Sequence, residues 1–309
     1  MRISTTQLYT DATRNMLEGQ SRLADIQSKI SSGKNFTSLA DDPVAANQSV
    51  NLKRELSQLD MFDKNIQSTR RRLEQTETVL SDFNNGLDRL RDLALQARNA
   101  TVSDEQRKGI AFEMDQLVKF SANLMNTRDA KGEYLFSGSK GNTQAFALIS
   151  GRYEYQGDSS EREIQIGSAQ FVGSTDSGQA LFQTLSSGTD NILNTAVDTI
   201  NVLQSIGSNT PPTSTDIGAA LDNIIDGVNE TQKSLSNSFA SLGARLNGLD
   251  AAQNSNDDFK LLTQSTLSSV EDLDYVSAST ELARRQLGLE AAYASFAKIQ
   301  NLSLFNYVN

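Results

Sequence analysis

The sequence predicts a mainly α-helical protein, a long antiparallel coiled coil or helical bundle built from N-terminal and C-terminal halves, with a small β-rich insertion of α+β character. Three observations carry this expectation. Apolar residues recur every seven positions in two stretches far apart in the chain. Between those stretches lies a segment punctuated by Gly and Ser whose apolar residues alternate. Both extremities carry weaker, alanine-rich stripes at helical spacing.

The first long stretch places Leu52, Leu59, Ile66, Leu73, Leu80, Leu87 and Ala94 in one row and Phe62, Thr69, Thr76, Phe83, Leu90 and Ala97 in a second. Two such rows form the a/d seam of a coiled coil. A single helix from about Val44 to Ala100 is roughly 85 Å long at about 1.5 Å per residue. Its start has a cause, because Asp41 and Asp42 can cap the first free amides and Pro43 suits the first helical turn.

A second helix is expected from about Ser103, with Asp104 and Glu105 near its positive end and Ile110, Met114, Leu117, Ser121 and Leu124 on one face; it is expected to end near Lys131 and Gly132. The partner of the first seam lies downstream, where Leu221, Val228, Leu235, Leu242 and Leu249 are again seven apart, beside Ile224, Phe239 and Leu246. The segment "GSNTPPTSTD" before it reads as a linker.

In the middle, Tyr153 with Tyr155 and Ile164 with Ile166 alternate between Gly- and Ser-rich turns, the pattern of short antiparallel strands. A helix with Ile192, Ala196, Ile200 and Leu203 on its apolar face follows. The expected division is a terminal domain of 1–43 with 273–309, a rod domain of 44–135 with 213–272, and an inserted outer domain of 136–212.

Tyr9, Met16, Leu23, Ile26 and Ile30 form the N-terminal stripe, while Leu273, Val276, Thr280, Ala283, Leu287, Ala291 and Ala294 form the C-terminal one. The chain closes on Leu302, Leu304, Phe305, Tyr307 and Val308. Bare apolar surface of this kind invites association, and isolated helices with such weak stripes are marginal in water. Both ends are therefore expected to be mobile until neighbouring molecules cover them. Burying Leu302, Leu304 and Phe305 yields roughly 1.5 to 3 kcal/mol each, against roughly 1 to 2 kcal/mol per residue ordered, so association should be cooperative.

Composition removes other roles. The chain carries 28 basic and 38 acidic residues, a formal charge of −10. The only dense basic run, Arg70 to Arg72, is interleaved with Glu74 and Glu77, so nucleic acid is not an expected partner. Cysteine, histidine and tryptophan are absent, which removes thiolate, imidazole and disulfide chemistry. No apolar run approaches the roughly 20 residues of a membrane helix, and the opening "MRISTTQLYTDATRNMLEGQ" lacks the apolar core of a secretory signal. No cofactor or metal and no membrane insertion are expected.

Two Ser-x-x-Lys segments, Ser31 to Lys34 and Ser137 to Lys140, match the spacing that sets a nucleophile beside a lysine base. Each contains a Gly that disfavours the helical turn required, and neither has companion motifs. The pairs Asp41 with Asp42 and Asp257 with Asp258 lack a third ligand nearby and read as caps and surface charge.

The segments "MRISTTQLY", "QSKISSGKNFTSLADDPVAA", "GEYLFSGS", "SLGARLNGLD" and "EDLDYVSASTELARRQLGLEAAYASFAKIQNLSLFNYVN" occur in the order in which the bacterial flagellin family carries related motifs. The chain resembles that family over about residues 1–140 and 217–309. "ISSGK", "DDPVAA" and "SLFNYVN" differ from filament subunits and favour a role at the junction of hook and filament. The resemblance implies terminal helices at an inner tube, the bundle outside them and the variable domain outermost. It further implies contacts with hook-associated protein 1, flagellin and neighbouring copies, an export chaperone and the flagellar type III export apparatus, an extracellular position, and no enzymatic activity. A filament subunit and a secreted coiled-coil binding protein are the competing readings.

Overall fold

The computed structural model describes residues 5–183, 185, 190–208 and 210–305. Along the chain run α1 (Thr5–Ser32), α2 (Pro43–Arg98), α3 (Asp104–Met125), β1 (Phe146–Ile149), β2 (Arg152–Tyr155), β3 (Glu163–Gln165) and β4 (Phe171–Gly173). These are followed by α4 (Gly178–Phe182), α5 (Ile192–Gln204), α6 (Ser214–Glu271) and α7 (Tyr275–Phe305). The protein is mainly α with a small antiparallel insertion, as its periodicity requires. Two compact units divide it, a terminal unit of Met1–Leu59 with Asp258–Asn309 and a central unit of Asp60–Asp257.

In the central unit α2 and α6 run antiparallel. Asp63 receives the Gln253 side-chain amide at 3.2 Å, Arg70 pairs with Asp250 at 2.6 Å, Gln232 donates to Asp88 at 3.0 Å, and Arg98 pairs with Asp222 at 2.8 Å. As one partner number rises the other falls. From Phe62 to Ala97 both rows of the seam are buried, with Ile66, Leu73, Leu80, Phe83 and Ala97 fully enclosed and Thr69 and Thr76 the polar members, while Leu52, in the terminal unit, is half-buried. Thr76 satisfies its hydroxyl by donating to the Arg72 carbonyl one turn back, at 3.0 Å.

The helix ends explain their own positions. Ser103 and Gln106 form a reciprocal capping box at the start of α3. Arg107 then reaches back to the carbonyls of Ala97, at 3.0 Å, and Asn99, at 3.3 Å. Thr213 and Asp216 cap α6 in the same reciprocal way. α3 stops at Met125, short of the expected end near Lys131 and Gly132. Asn126 breaks the helix because its side chain is taken by a strand, donating to the Phe146 carbonyl at 2.8 Å and accepting from the Phe146 amide at 2.9 Å.

The insertion consists of two separate hairpins, β1 with β2 and β3 with β4, both antiparallel. The first turns on Ser150 and Gly151, both at positive φ (52° and 82°), the tight turn that matches strand twist. Its outer edges are closed by asparagine amides: Asn126 on β1, and Asn191 with Asn194 on Tyr153 of β2. Strand edges left open are templates for association, and at Phe146 and Tyr153 these are occupied. Phe182 of α4 is the hub of the aromatic core, meeting Phe83 at 4.9 Å, Phe136 at 5.2 Å and Phe146 at 5.8 Å, each edge to face.

Polar contacts tie the insertion to the long helices of the same unit. Arg72 donates to Asp129 at 2.5 Å and to the Tyr134 carbonyl at 3.0 Å. Arg245 holds Asp176 at 2.6 Å and the Gly173 carbonyl at 3.2 Å. Both guanidinium groups are largely buried.

Candidate assembly surface

In the terminal unit α1 packs along α7. Tyr9, Ala12, Met16, Gly19, Leu23, Ile26 and Ile30 are all half-buried, and they alternate at spacings of three and four, the geometry of a two-helix seam. The row of α7 that meets them is Ala278, Leu282, Arg285, Leu289, Ala292 and Phe296, spaced four and three. Tyr9 and Phe296 stack edge to face at 5.7 Å, and the Gln20 amide donates to the Tyr293 hydroxyl at 2.6 Å. Arg285 donates to the Arg22 carbonyl at 2.9 Å and is steadied by Glu281 at 2.7 Å. That guanidinium, by its hydrogen bond above all, holds the Glu281 carboxyl below the usual carboxylate range.

The pair is closed but wet. Among the described side chains of α1 none is fully buried, and on α7 only Ala278 is. Leu287, Ala291 and Ala294 lie on the opposite face of α7, exposed to solvent, with Leu287 at 70% and Val276 at 79%. On α1, Leu17 is likewise exposed. The C-terminal stripe seen in the sequence is thus a different face from the one that α1 covers. The side chains of Leu302, Leu304 and Phe305 lie outside the described residues, as does Tyr307 altogether.

All ten residues expected in the bundle core are buried: Leu59 in the terminal unit, and Ile66, Leu73, Leu80, Leu87, Leu221, Val228, Leu235, Leu242 and Leu249 in the central one. Of the expected cap, Pro43 is the first residue of α2 and the Asp42 carboxylate accepts from the amides of Val44 and Ala45 at 3.1 and 3.0 Å. Asp41 departs from the expectation. Its carboxylate turns back to the amides of Thr37 and Ser38, at 3.0 and 2.8 Å, and so caps the preceding turn; those bonds lower its pKa.

One charged cluster escaped the sequence reading. Glu271, the last residue of α6, is nearly buried, and its carboxylate accepts from Lys53 and Ser49 of α2 and, at 2.9 Å, from Lys34. Burial opposes its ionisation, yet these three donors outweigh burial and hold its pKa at about 2. Lys34 belongs to the first Ser-x-x-Lys segment, and this contact is the use the structure makes of it. In the second, the Ser137 hydroxyl is buried against the Tyr134 carbonyl. Among the described residues no group of three or more acidic side chains is placed to hold a metal ion, and no helix is long and apolar enough to cross a membrane.

Two family models match the chain, the bacterial flagellin N-terminal helical region over residues 3–141 and the bacterial flagellin C-terminal helical region over residues 225–308. The chain is similar to flagellar hook-associated protein 3 of Escherichia coli K12, 25% identical with 99% of both chains covered. It is similar to a flagellin of Clostridium tyrobutyricum over less, 26% identical across 43% of this chain and 35% of that one. Its fold matches a Vibrio parahaemolyticus structure described as a flagellar hook-associated protein, with a TM-score of 0.68, 26% identity, and coverage of 75% of this chain and 100% of the other.

Proposed function

This chain belongs to the bacterial flagellin family, and we propose from that premise that it is a structural subunit of the flagellum at the junction of hook and filament. The observation that carries the reading is the exposed apolar row of α7, Leu287, Ala291 and Ala294, on a helix already paired through its other face. A helix with two apolar faces and only one covered is built for a further neighbour. Heterologous contacts repeated around a helical lattice supply such neighbours. Similarity over the full length to a hook-associated protein, against less than half the chain for a filament flagellin, favours the junction over the filament.

In this reading the terminal helices of 1–43 and 273–309 line an inner tube and stay mobile at their far ends until neighbours cover them. Residues 44–135 with 213–272 are the rod, and 136–212 lie outermost. The assembly residues are Tyr9, Met16, Leu23, Ile26 and Ile30 on the first helix, and Leu287, Ala291, Ala294, Leu302, Leu304, Phe305 and Tyr307 on the last. The partners are hook-associated protein 1 on one side, flagellin on the other, and copies of the same chain around the ring. An export chaperone and the flagellar type III apparatus deliver the subunit to the outside of the cell. Its work is structural and not enzymatic.

Deletion of residues 300–309 tests the reading. The truncated protein should remain a helical monomer by circular dichroism and fail to support filaments in cells that lack the intact chain. Normal filament growth from that variant would overturn the proposal.

A further inference from the structure

Glu271 stands where two breaks in the helical path meet. α1 ends at Ser32 and α2 begins at Pro43, while α6 ends at Glu271 itself and α7 begins at Tyr275. The two breaks, more than 200 residues apart in sequence, are bonded to one another. The Asn35 amide donates to the Glu271 carbonyl at 2.7 Å and the Leu273 amide to the Gly33 carbonyl at 3.0 Å, so that Lys34 and Asp272 face each other as an antiparallel bridge. Gly33 sits at φ +69°, and a side chain there would press on the Tyr275 hydroxyl. Within this one unit the α1/α7 pair is therefore joined to the start of α2 and the end of α6 through two short non-helical strands lying side by side.

We propose that this joint is a hinge and that the Glu271 carboxylate is its latch. One anion ties together three of the four segments that meet at the joint: Lys34 in the break after α1, Ser49 and Lys53 on α2, and α6 through its own backbone. With the latch closed, the base of the α1/α7 pair is fixed against α2. With it open, Lys34 and Lys53 repel one another, both bridge hydrogen bonds lose their support, and the pair swings as a unit. The asymmetry of burial suits a latch. The carboxylate is 9% exposed while both lysines are about half exposed, at 47% and 51%, so a buried charge left unpartnered is costly but its partners can leave into water.

The proposal concerns motion within the terminal unit and does not rest on the role assigned to the whole protein. Its test combines two measurements on the full-length chain, which has no native cysteine to interfere with labelling. In Glu271→Gln, deuterium uptake in peptides spanning 33–38 and 270–275 should rise together by about tenfold or more, the scale expected when hydrogen bonds to a charged group are lost. Spin labels at Gln27→Cys and Gln48→Cys should give one narrow distance in the otherwise native chain and lose it in Glu271→Gln. Labels at Gln27→Cys and Ala283→Cys should keep their distance in both. Lys34→Met, which removes only a half-exposed cation, should act in the same direction and guards against a folding defect in the glutamate variant. Opening of one break without the other, an unchanged label distance, a distance already broad before substitution, or loss of the α1 to α7 distance would each overturn the latch.

Discussion

Tyr9 and Phe296 stack edge to face with their ring centroids 5.7 Å apart and their planes at 90°, joining residues 287 positions apart (296 − 9) at the far end of the α1/α7 pair. They belong to the two terminal helices whose neighbouring side chains are mostly wet. Such a contact is worth about 0.5 to 1.5 kcal/mol beyond its area. Tyr9→Ala should therefore speed amide exchange in α1 and the facing half of α7 and leave the main thermal transition of the protein in place. Hydrogen exchange by mass spectrometry alongside circular dichroism checks both halves of this expectation. A fall of the main transition would mean that the pair contributes to the central core.

The seam behaves otherwise. Leu80 is completely enclosed, and Leu80→Ala should cost about 2 to 5 kcal/mol through lost transfer energy and a residual cavity. Leu80→Asp should cost more, because it buries a charge that no neighbour answers. Chemical denaturation of the two variants checks the order.

The same contrast explains what could be read from the residues. A row of Leu and Ile at strict sevenfold spacing leaves one face for the core, so the inward face is unambiguous at Ile66, Leu73 and Leu80. On α7 alanines and leucines occupy several faces, so that Leu287 and Leu289, two residues apart, give equal local signals while one is exposed and the other half-buried. The choice is made by α1, a partner more than 250 residues away in sequence. Asp41 and Asp42 are equally ambiguous by type, and only the geometry of the 37–41 turn assigns the helix cap to Asp42. The end of α3 is hidden for the same reason, since Asn126 breaks the helix for a strand 20 residues on. Nothing local announces Glu271, whose donors come from separate parts of the chain.

Acid should weaken the terminal unit through Glu271. Its pKa is about 2 in the fold against an ordinary 4.5. A pKa depressed by folding means that the ionised form stabilises the fold, fully above the unfolded value and progressively less as pH falls through the folded one. The stability difference between the native chain and Glu271→Gln should thus be constant above about pH 5 and shrink between about pH 4.5 and 2. Asp41 and Asp274 are shifted down by backbone and hydroxyl donors of their own turns and act in the same direction. A difference that persists unchanged at the bottom of this range would show that the carboxylate is not bonded as an anion.

In the central unit the buried Arg72 is bonded to Asp129 and the Tyr134 carbonyl, with Glu133 at 3.3 Å. Removing one partner of a buried pair costs about 3 to 5 kcal/mol, here toward the lower figure, because the Asp129 carboxylate keeps the amides of Lys131 and Glu133 at 2.8 and 3.0 Å. Arg72→Ala should destabilise by that order, and Arg72→Ala with Asp129→Ala should recover part of the loss. Additive losses in this double-mutant cycle would deny the coupling.

Leu287 and Leu289 offer the sharpest separation of folding from assembly. Leu289 faces α1, with a Cδ atom close over Gly19, and an aspartate there places a charge in the half-covered seam. Leu287 is 70% exposed on the other side of the same turn, and surface substitutions of that kind change stability by no more than about 0.5 kcal/mol. Leu289→Asp should accordingly increase exchange in α1 and α7 of the free protein, whereas Leu287→Asp should leave the free protein unchanged in exchange and in thermal unfolding. If the outer face of α7 is where neighbouring molecules sit, Leu287→Asp must nevertheless abolish filament attachment, since each copy in the ring would bury an unpaired carboxylate at that face. A Leu287→Asp protein that folds normally and still supports filaments would remove the outer face from the assembly and leave only the seam with α1 to explain the apolar ends.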